Sequence, residues 1–206
     1  MGLGIMIDVK TIAPLVALIL AGLIYYLRRK KERSVGYILC FTVFCIYLVC
    51  VAHYTLFPIL LFNRTLVERG VNWKTGLNFI PFRELTLSYL SSVQGVGNIL
   101  LLLPFGFGLP FISQVNFRTV IWKGALFSVS IELLQFIENI SHLSGYLLRT
   151  VDINDVILNV IGAILGFIVF QILSWAYCRS TSPNETVKGV WKHIHGVLTK
   201  SEISGQ

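Results

Sequence analysis

Five stretches of this chain are apolar for long enough to cross a hydrocarbon core: about 11 to 27, 35 to 62, 96 to 115, 119 to 140 and 153 to 178. A span takes roughly 20 apolar residues at about 1.5 Å each. Lipid offers no partner to backbone polar groups, so each stretch must satisfy its own and is expected to be a helix. Composition agrees, with 55% of the 206 residues hydrophobic and 13% charged, where soluble domains carry about a quarter charged. The mean hydropathy is +0.74. The expected fold is all-α: a polytopic membrane helical bundle of about five transmembrane helices, in a multi-pass cell-membrane protein. The first stretch has no basic segment before it and no small-residue cleavage site after it, which reads as a retained helix and not a signal peptide.

The seventeen Lys and Arg residues orient the bundle through the excess of positive charge that cytoplasmic loops carry. With the N-terminus outside, eleven fall inside, including Arg28, Arg29, Lys30, Lys31 and Arg33, and six fall outside: Lys10, Arg64, Arg69, Lys74, Arg83 and Arg149. The expected topology is N-terminus out and C-terminus in. The net charge of +7 then marks contact with the lipid bilayer, not with nucleic acid. Cys40, Cys45 and Cys50 scatter around the second span and form neither a zinc site nor a disulfide framework. The expected organisation is 1–34, a first helix and basic turn; 35–178, the main transmembrane domain; and 179–206, a cytoplasmic tail.

Three segments complete the outline. In 63–95, Pro81 marks a turn, and Leu85, Leu87, Leu90 and Val93 make an apolar face on a short interfacial helix. Pro104 in the third span predicts a kink or break, either lining a functional cavity or simply tolerated as proline and glycine are in membrane helices. In the tail, Ser182, Pro183 and Glu185 read as a helix start, followed by Val187, Val190, Trp191, Ile194, Val197 and Leu198 on a membrane-surface helix. His193 and His195, two apart, read as a solvated pair, as does the lone loop residue His142.

The polar residues inside the spans carry the functional reading. Asp152, Asp155, Asn159, Gly162 and Gly166 share one helical stripe. Asp152 suits an N-cap and Asp155 the positive end of the helix dipole, but Asn159 lies roughly 9 Å into the span and should face other helices. Gly162 and Gly166 have the small-xxx-small spacing of a close helix contact, including contact with a second copy in a homo-oligomer. In the fourth span Glu132 and Gln135 share a face, with Glu132 on the order of 12 Å deep. A charge there must pair, face water or bind a proton. An ion pair with Arg149 is one account of Glu132 and a functional site is the other, and the two are compatible. The topology gathers Asn98, Glu132, Gln135, Arg149, Asp152, Asp155 and Asn159 at the outer side, with Asn78 and Arg83 just above, as a polar pocket open to the outside.

These pieces also carry a resemblance. NFIPF at 78–82, GNILLLLPFGFGLP at 97–110, SIELLQ at 130–135 and RTVDINDVILNVIGAILG at 149–166, in this order over 78–167, resemble the VanZ-like family of membrane proteins. Leu102 departs from the aromatic residue common at that place in relatives, which bears on local packing. The resemblance implies a bacterial, Gram-positive cytoplasmic membrane. It also implies reduced susceptibility to teicoplanin, a lipid-tailed glycopeptide that acts outside the membrane.

Three functions stay open at this point. One is a resistance factor that binds or shields an amphiphilic envelope molecule or lipoglycopeptide through Asn78, Arg83, Asn98, Gln135, Arg149 and Asn159. Another is an enzyme on an amphiphilic substrate, with Glu132, Asp152 or Asp155 as general acid or base. The third, a small-solute transporter, lacks a visible inverted repeat. The carboxylates lack the histidines of a zinc site and no cofactor is expected, although a magnesium or calcium ion held by oxygens stays open.

Overall fold

The computed structural model describes residues 5–61, 73–83, 85–141, 143, 149–181 and 187–203. In chain order these form β1 (Ile5–Ile7), α1 (Val9–Arg29), α2 (Val35–Leu56), β2 (Ile59–Leu61), a 3-10 turn (Trp73–Gly76), β3 (Leu77–Asn78) and a single helical turn α3 (Leu87–Leu90). There follow α4 (Val93–Gly108), a second 3-10 turn (Leu109–Phe111), α5 (Phe117–Ile140), β4 (Val151–Asp152), α6 (Ile153–Ser180) and α7 (Val190–Ile203). Five helical segments are long and apolar enough to cross a membrane: α1, α2, α4 with its 3-10 turn, α5 and α6. The protein is thus a multi-pass membrane helical bundle. The tail residues Ser182, Pro183 and Glu185, and His142, lie outside the described residues.

Each helix from α1 to α6 starts where a short polar side chain accepts a backbone N–H: Asp8, Ser34, Thr86, Ser92, Asn116 and Asp152 in turn. Such caps contribute about 1 kcal/mol each. α2 stops at Leu56, six residues before the end of its apolar run, because Pro58 forces Phe57 into extended backbone (ψ 153). The released residues pair as β2, antiparallel to β1, with Ile5 opposite Leu61. The expected interfacial helix is one turn, and Val93 belongs to α4. α4 runs on through Pro104, and α-helix is lost only at Leu109, where Pro110 shapes the 3-10 turn. The Tyr47 hydroxyl donates to the Leu101 carbonyl at 2.6 Å, next to the Leu100 carbonyl that Pro104 deprives of its usual donor. The helix is continuous across Pro104, so the predicted break there does not occur.

α6 is the axis. Its most extensive contacts are with α4, then α5 and α7. Small residues bring α4 and α6 together: a Cβ on Gly162 would collide with the Ile99 carbonyl, one on Gly166 with the Leu103 carbonyl, and one on Gly106 with the Ala163 carbonyl. Gly162 and Gly166 are therefore spent on packing within the chain, which corrects the expectation that they serve a homo-oligomer. The aromatic core spreads from this crossing, with Phe105 tilted on Phe44 and stacked on Phe127, and Leu102 is fully buried. α1 buries no residue and touches mainly α2, so its apolar surface is left to lipid. Cys40, Cys45, Cys50 and Cys178 form no disulfide among the described residues.

α7 carries the tail's apolar positions Val190, Trp191, Ile194, Val197 and Leu198. It packs on α6, α2 and the second 3-10 turn, with Leu198 buried and its carbonyl accepting from the Ser174 hydroxyl. His193 Nε2 meets the Phe111 carbonyl at 2.8 Å and His195 Nδ1 meets the Tyr177 hydroxyl at 3.0 Å. The two histidines face separate partners and are not a solvated pair.

Candidate functional site

Five elements converge at the amino end of α6. The two-residue parallel ladder between β3 and β4 sets Asn78 against Asp152. Asn78 Nδ2 donates to both Asp152 carboxylate oxygens at 3.1 Å, and Asn78 Oδ1 accepts from the Ile80 N–H, closing the NFIPF segment into a turn. Phe82, the last residue of that segment, has φ +64, a conformation disfavoured for a bulky side chain and kept only where the surroundings hold it. The holding contact is Asn154 Oδ1, which accepts the Phe82 N–H at 2.7 Å.

Asp152 is also the N-cap, accepting from the Asn154 N–H at 2.8 Å, while its own backbone N–H donates to Glu132 Oε2 on α5 at 3.0 Å. Asp155 accepts from the Tyr89 hydroxyl on α3 at 2.8 Å and from Gln94 Nε2 on α4 at 3.4 Å. Glu132, Asp152 and Asp155 are buried and close enough for their charges to act on one another. A turn deeper, Asn159 donates to the fully buried Ser128 hydroxyl at 2.9 Å. Among the described residues no group of three His, Cys, Asp or Glu side chains has the arrangement to hold a metal ion.

Two buried amide atoms in this cluster have no hydrogen-bond partner among the described residues: Asn154 Nδ2 and Asn159 Oδ1. Asn98 sits beside Asp155, and Asn154 and Asn159 are fully buried. Native proteins pair nearly all such atoms, so each needs an account. One unused donor and one unused acceptor match a guest with hydroxyl or amide groups, or water held in its place.

Other sequence candidates have structural duties. Arg149 does not pair with Glu132. Its Nε donates to Glu138 Oε2 at 3.1 Å and its Nη2 to the Phe57 carbonyl at 3.0 Å. Asn139 clamps the Arg149 backbone from both sides, donating to its carbonyl at 2.6 Å and accepting its N–H at 3.0 Å. The ion pair goes to Glu138 because it lies near the end of α5 beside the returning chain, whereas Glu132 is nearly two turns deeper. Gln135 donates to the Thr55 carbonyl at 3.0 Å, tying α5 to the end of α2. Arg83 is exposed.

Sequence reasoning missed Asn154, Tyr89, Gln94 and Ser128 in the cluster, and Glu138 and Asn139 beside it. Asn154 stands next to Asp155 but off the stripe that was followed. The acid–amide pair at 138–139, near the end of an apolar span, was the available signal for the Arg149 clamp.

Residues 44–174 match a protein-family model described as VanZ/LLP1. No curated protein and no solved structure matches the chain.

Proposed function

The chain belongs to the VanZ/LLP1 family, and on that premise we propose that it lowers susceptibility to teicoplanin by binding or modifying an envelope component at the amino end of α6. The site faces outward in this reading. Support comes from the eleven-to-six division of Lys and Arg, which favours the N-terminus outside and sets the α1–α2 turn inside and the α5–α6 connection outside. The observation that carries the reading is the pair of buried, unpartnered amide atoms on Asn154 and Asn159 next to Glu132, Asp152 and Asp155. A polar head with hydroxyl or amide groups would satisfy them, while its apolar part stayed in the bilayer.

The enzymatic alternative rests on the Tyr89 hydroxyl directed at Asp155, a proton donor beside a buried carboxyl group, with Glu132 in a different environment close by. Such a pair can divide acid and base roles. The transporter reading gains nothing from this arrangement.

The deciding experiment is the teicoplanin inhibitory concentration of a susceptible Gram-positive host expressing wild type, Glu132→Gln or Asp155→Asn at matched membrane abundance. The expected outcome is a raised value with wild type and loss of the effect with both variants. Resistance retained by both variants would make the cluster structural, and no effect of wild type would remove teicoplanin from the proposal. Ligand binding kept by Glu132→Gln while resistance is lost would favour catalysis, and parallel loss of both would favour binding.

A further inference from the structure

The carboxyl groups at the amino end of α6 make a demand that the unpaired amide atoms alone do not. On α5, Ser128 and Glu132 lie one turn apart, and on α6 so do Asn159 and Asp155. The 2.9 Å bond from Asn159 to the Ser128 hydroxyl sets these two rows face to face. Glu132 and Asp155 therefore face each other one turn nearer the mouth, close enough for their charges to act on one another. Every donor that reaches the acids among the described residues is neutral: Asn78 and the Asn154 N–H on Asp152, the Asp152 N–H on Glu132, and Tyr89, Gln94 and Asn98 on Asp155. No Lys or Arg pairs with them among the described residues, since Arg149 goes to Glu138 and Arg83 is exposed.

Neutral donors share out negative charge without cancelling it, and a buried acid calls for a cation or a proton. Asn159 Oδ1 says which. Its side chain is 1% exposed, and it is an acceptor without a donor, beside two carboxyl groups that are themselves acceptors. An ammonium brings three N–H donors together with the positive charge, whereas a hydroxyl brings one donor and no charge. Roughly 7.5 Å nearer the mouth along the helix axis, the fully buried Asn154 Nδ2 is a donor without an acceptor, which suits an oxygen a few bonds from the nitrogen. Glu132 and Asp155 keep 8% and 7% of their surface, so the acids are not sealed from a guest. Resting on the reading of this cluster as the binding site, we propose that its guest is an amphiphile with a primary-ammonium head, the nitrogen held by Glu132, Asp155 and Asn159 Oδ1 and a nearby oxygen by Asn154 Nδ2.

The test follows thermal unfolding of the full chain in nonionic detergent during titration with short-chain phosphatidylethanolamine. Phosphatidylcholine of equal chain length keeps the cation without N–H donors, phosphatidylglycerol keeps hydroxyl donors without the cation, and free ethanolamine keeps the amine without the lipid. Phosphatidylethanolamine is expected to raise the midpoint at concentrations where the other three do not. Glu132→Gln keeps an oxygen for the Asp152 N–H and removes the charge, and should weaken the response about tenfold in apparent affinity, as expected for one charged hydrogen bond. Asp155→Asn should act in the same direction and carries the test if Glu132→Gln does not accumulate. No shift from phosphatidylethanolamine, or a full shift in both variants, would overturn the proposal. An equal shift from phosphatidylglycerol or phosphatidylcholine would overturn the ammonium and leave the site itself standing, and an equal shift from ethanolamine would overturn the amphiphile. Failure of the site reading shows separately, as resistance retained by both variants.

Discussion

The two ends of α6 use buried space in opposite ways. At the amino end, hydrogen bonds from β3, α3, α4 and α5 converge on a few carboxyl and amide groups, and nearly every oxygen is claimed. At the other end aromatic rings and α7 surround open volume. Between them the glycine crossing with α4 holds the helices so close that no side chain fits. Polar convergence specifies one arrangement, since a displaced partner leaves a buried group unpaired. The aromatic end tolerates adjustment because its contacts are many and individually weak.

Breaking the crossing should have the largest effect, because both ends depend on it. Gly162→Leu or Gly166→Leu drives a side chain into the Ile99 or Leu103 carbonyl. Overpacking costs about 1–3 kcal/mol or more, and backbone on the opposing side leaves little room to yield. Folded protein recovered from membranes, read by size exclusion in detergent, should fall severely, whereas Gly97→Ala, with nothing within 4 Å of its Cβ, should leave it unchanged.

Next comes the ion pair above the polar end. Arg149→Met leaves Glu138 buried without its cation, at about 3–5 kcal/mol for a broken buried pair. The double variant Arg149→Met with Glu138→Leu should recover part of that loss, as read from thermal midpoints. Equal losses in single and double variants would show that Arg149 works mainly through the Phe57 carbonyl.

Asn78→Ala should cost about 1–3 kcal/mol, through its bonds to Asp152 and the turn at Ile80. Protease cleavage within 78–83 should rise while the aromatic end keeps its protection. Uniform loss of protection would show that the two ends unfold as one unit.

The smallest effect on stability is expected from Tyr89→Phe, which removes one hydroxyl from Asp155, about 0.5–1.5 kcal/mol. If the cluster acts as proposed, resistance should fall far more than abundance does, and equal falls would remove Tyr89 from the site.

The spans were legible because length and hydropathy are properties of single segments, and α6 was read to within two residues at its end. The stripe from Asp155 to Gly166 was legible for the same reason, since one helix sets its own periodicity. What covers a stripe was not. The glycine spacing announced a close approach without naming α4, and the tail's apolar face announced a helix without naming α6. An ion pair between Arg149 and Glu132 stood as one of two open accounts, and the pair forms with Glu138 instead, because proximity in sequence gives no depth. Asn154 was passed over because the first turn of a helix points into the preceding loops, where the periodicity that guided the reading has no force.

The two-residue β3–β4 ladder encloses α4 and α5 within its loop, and this has a consequence for biogenesis. Asp152, Asn154, Asp155 and Asn159 all arrive with the fifth span, after Asn78, Tyr89, Asn98 and Glu132 have been synthesised. Until then Glu132 waits in lipid without the N–H it later accepts, and Phe82 has nothing to hold its turn. The cluster therefore comes together late, when the ribosome has delivered the last partner, and a chain stalled before residue 150 lacks one side of every bond to Asp152, Asn154, Asp155 and Asn159.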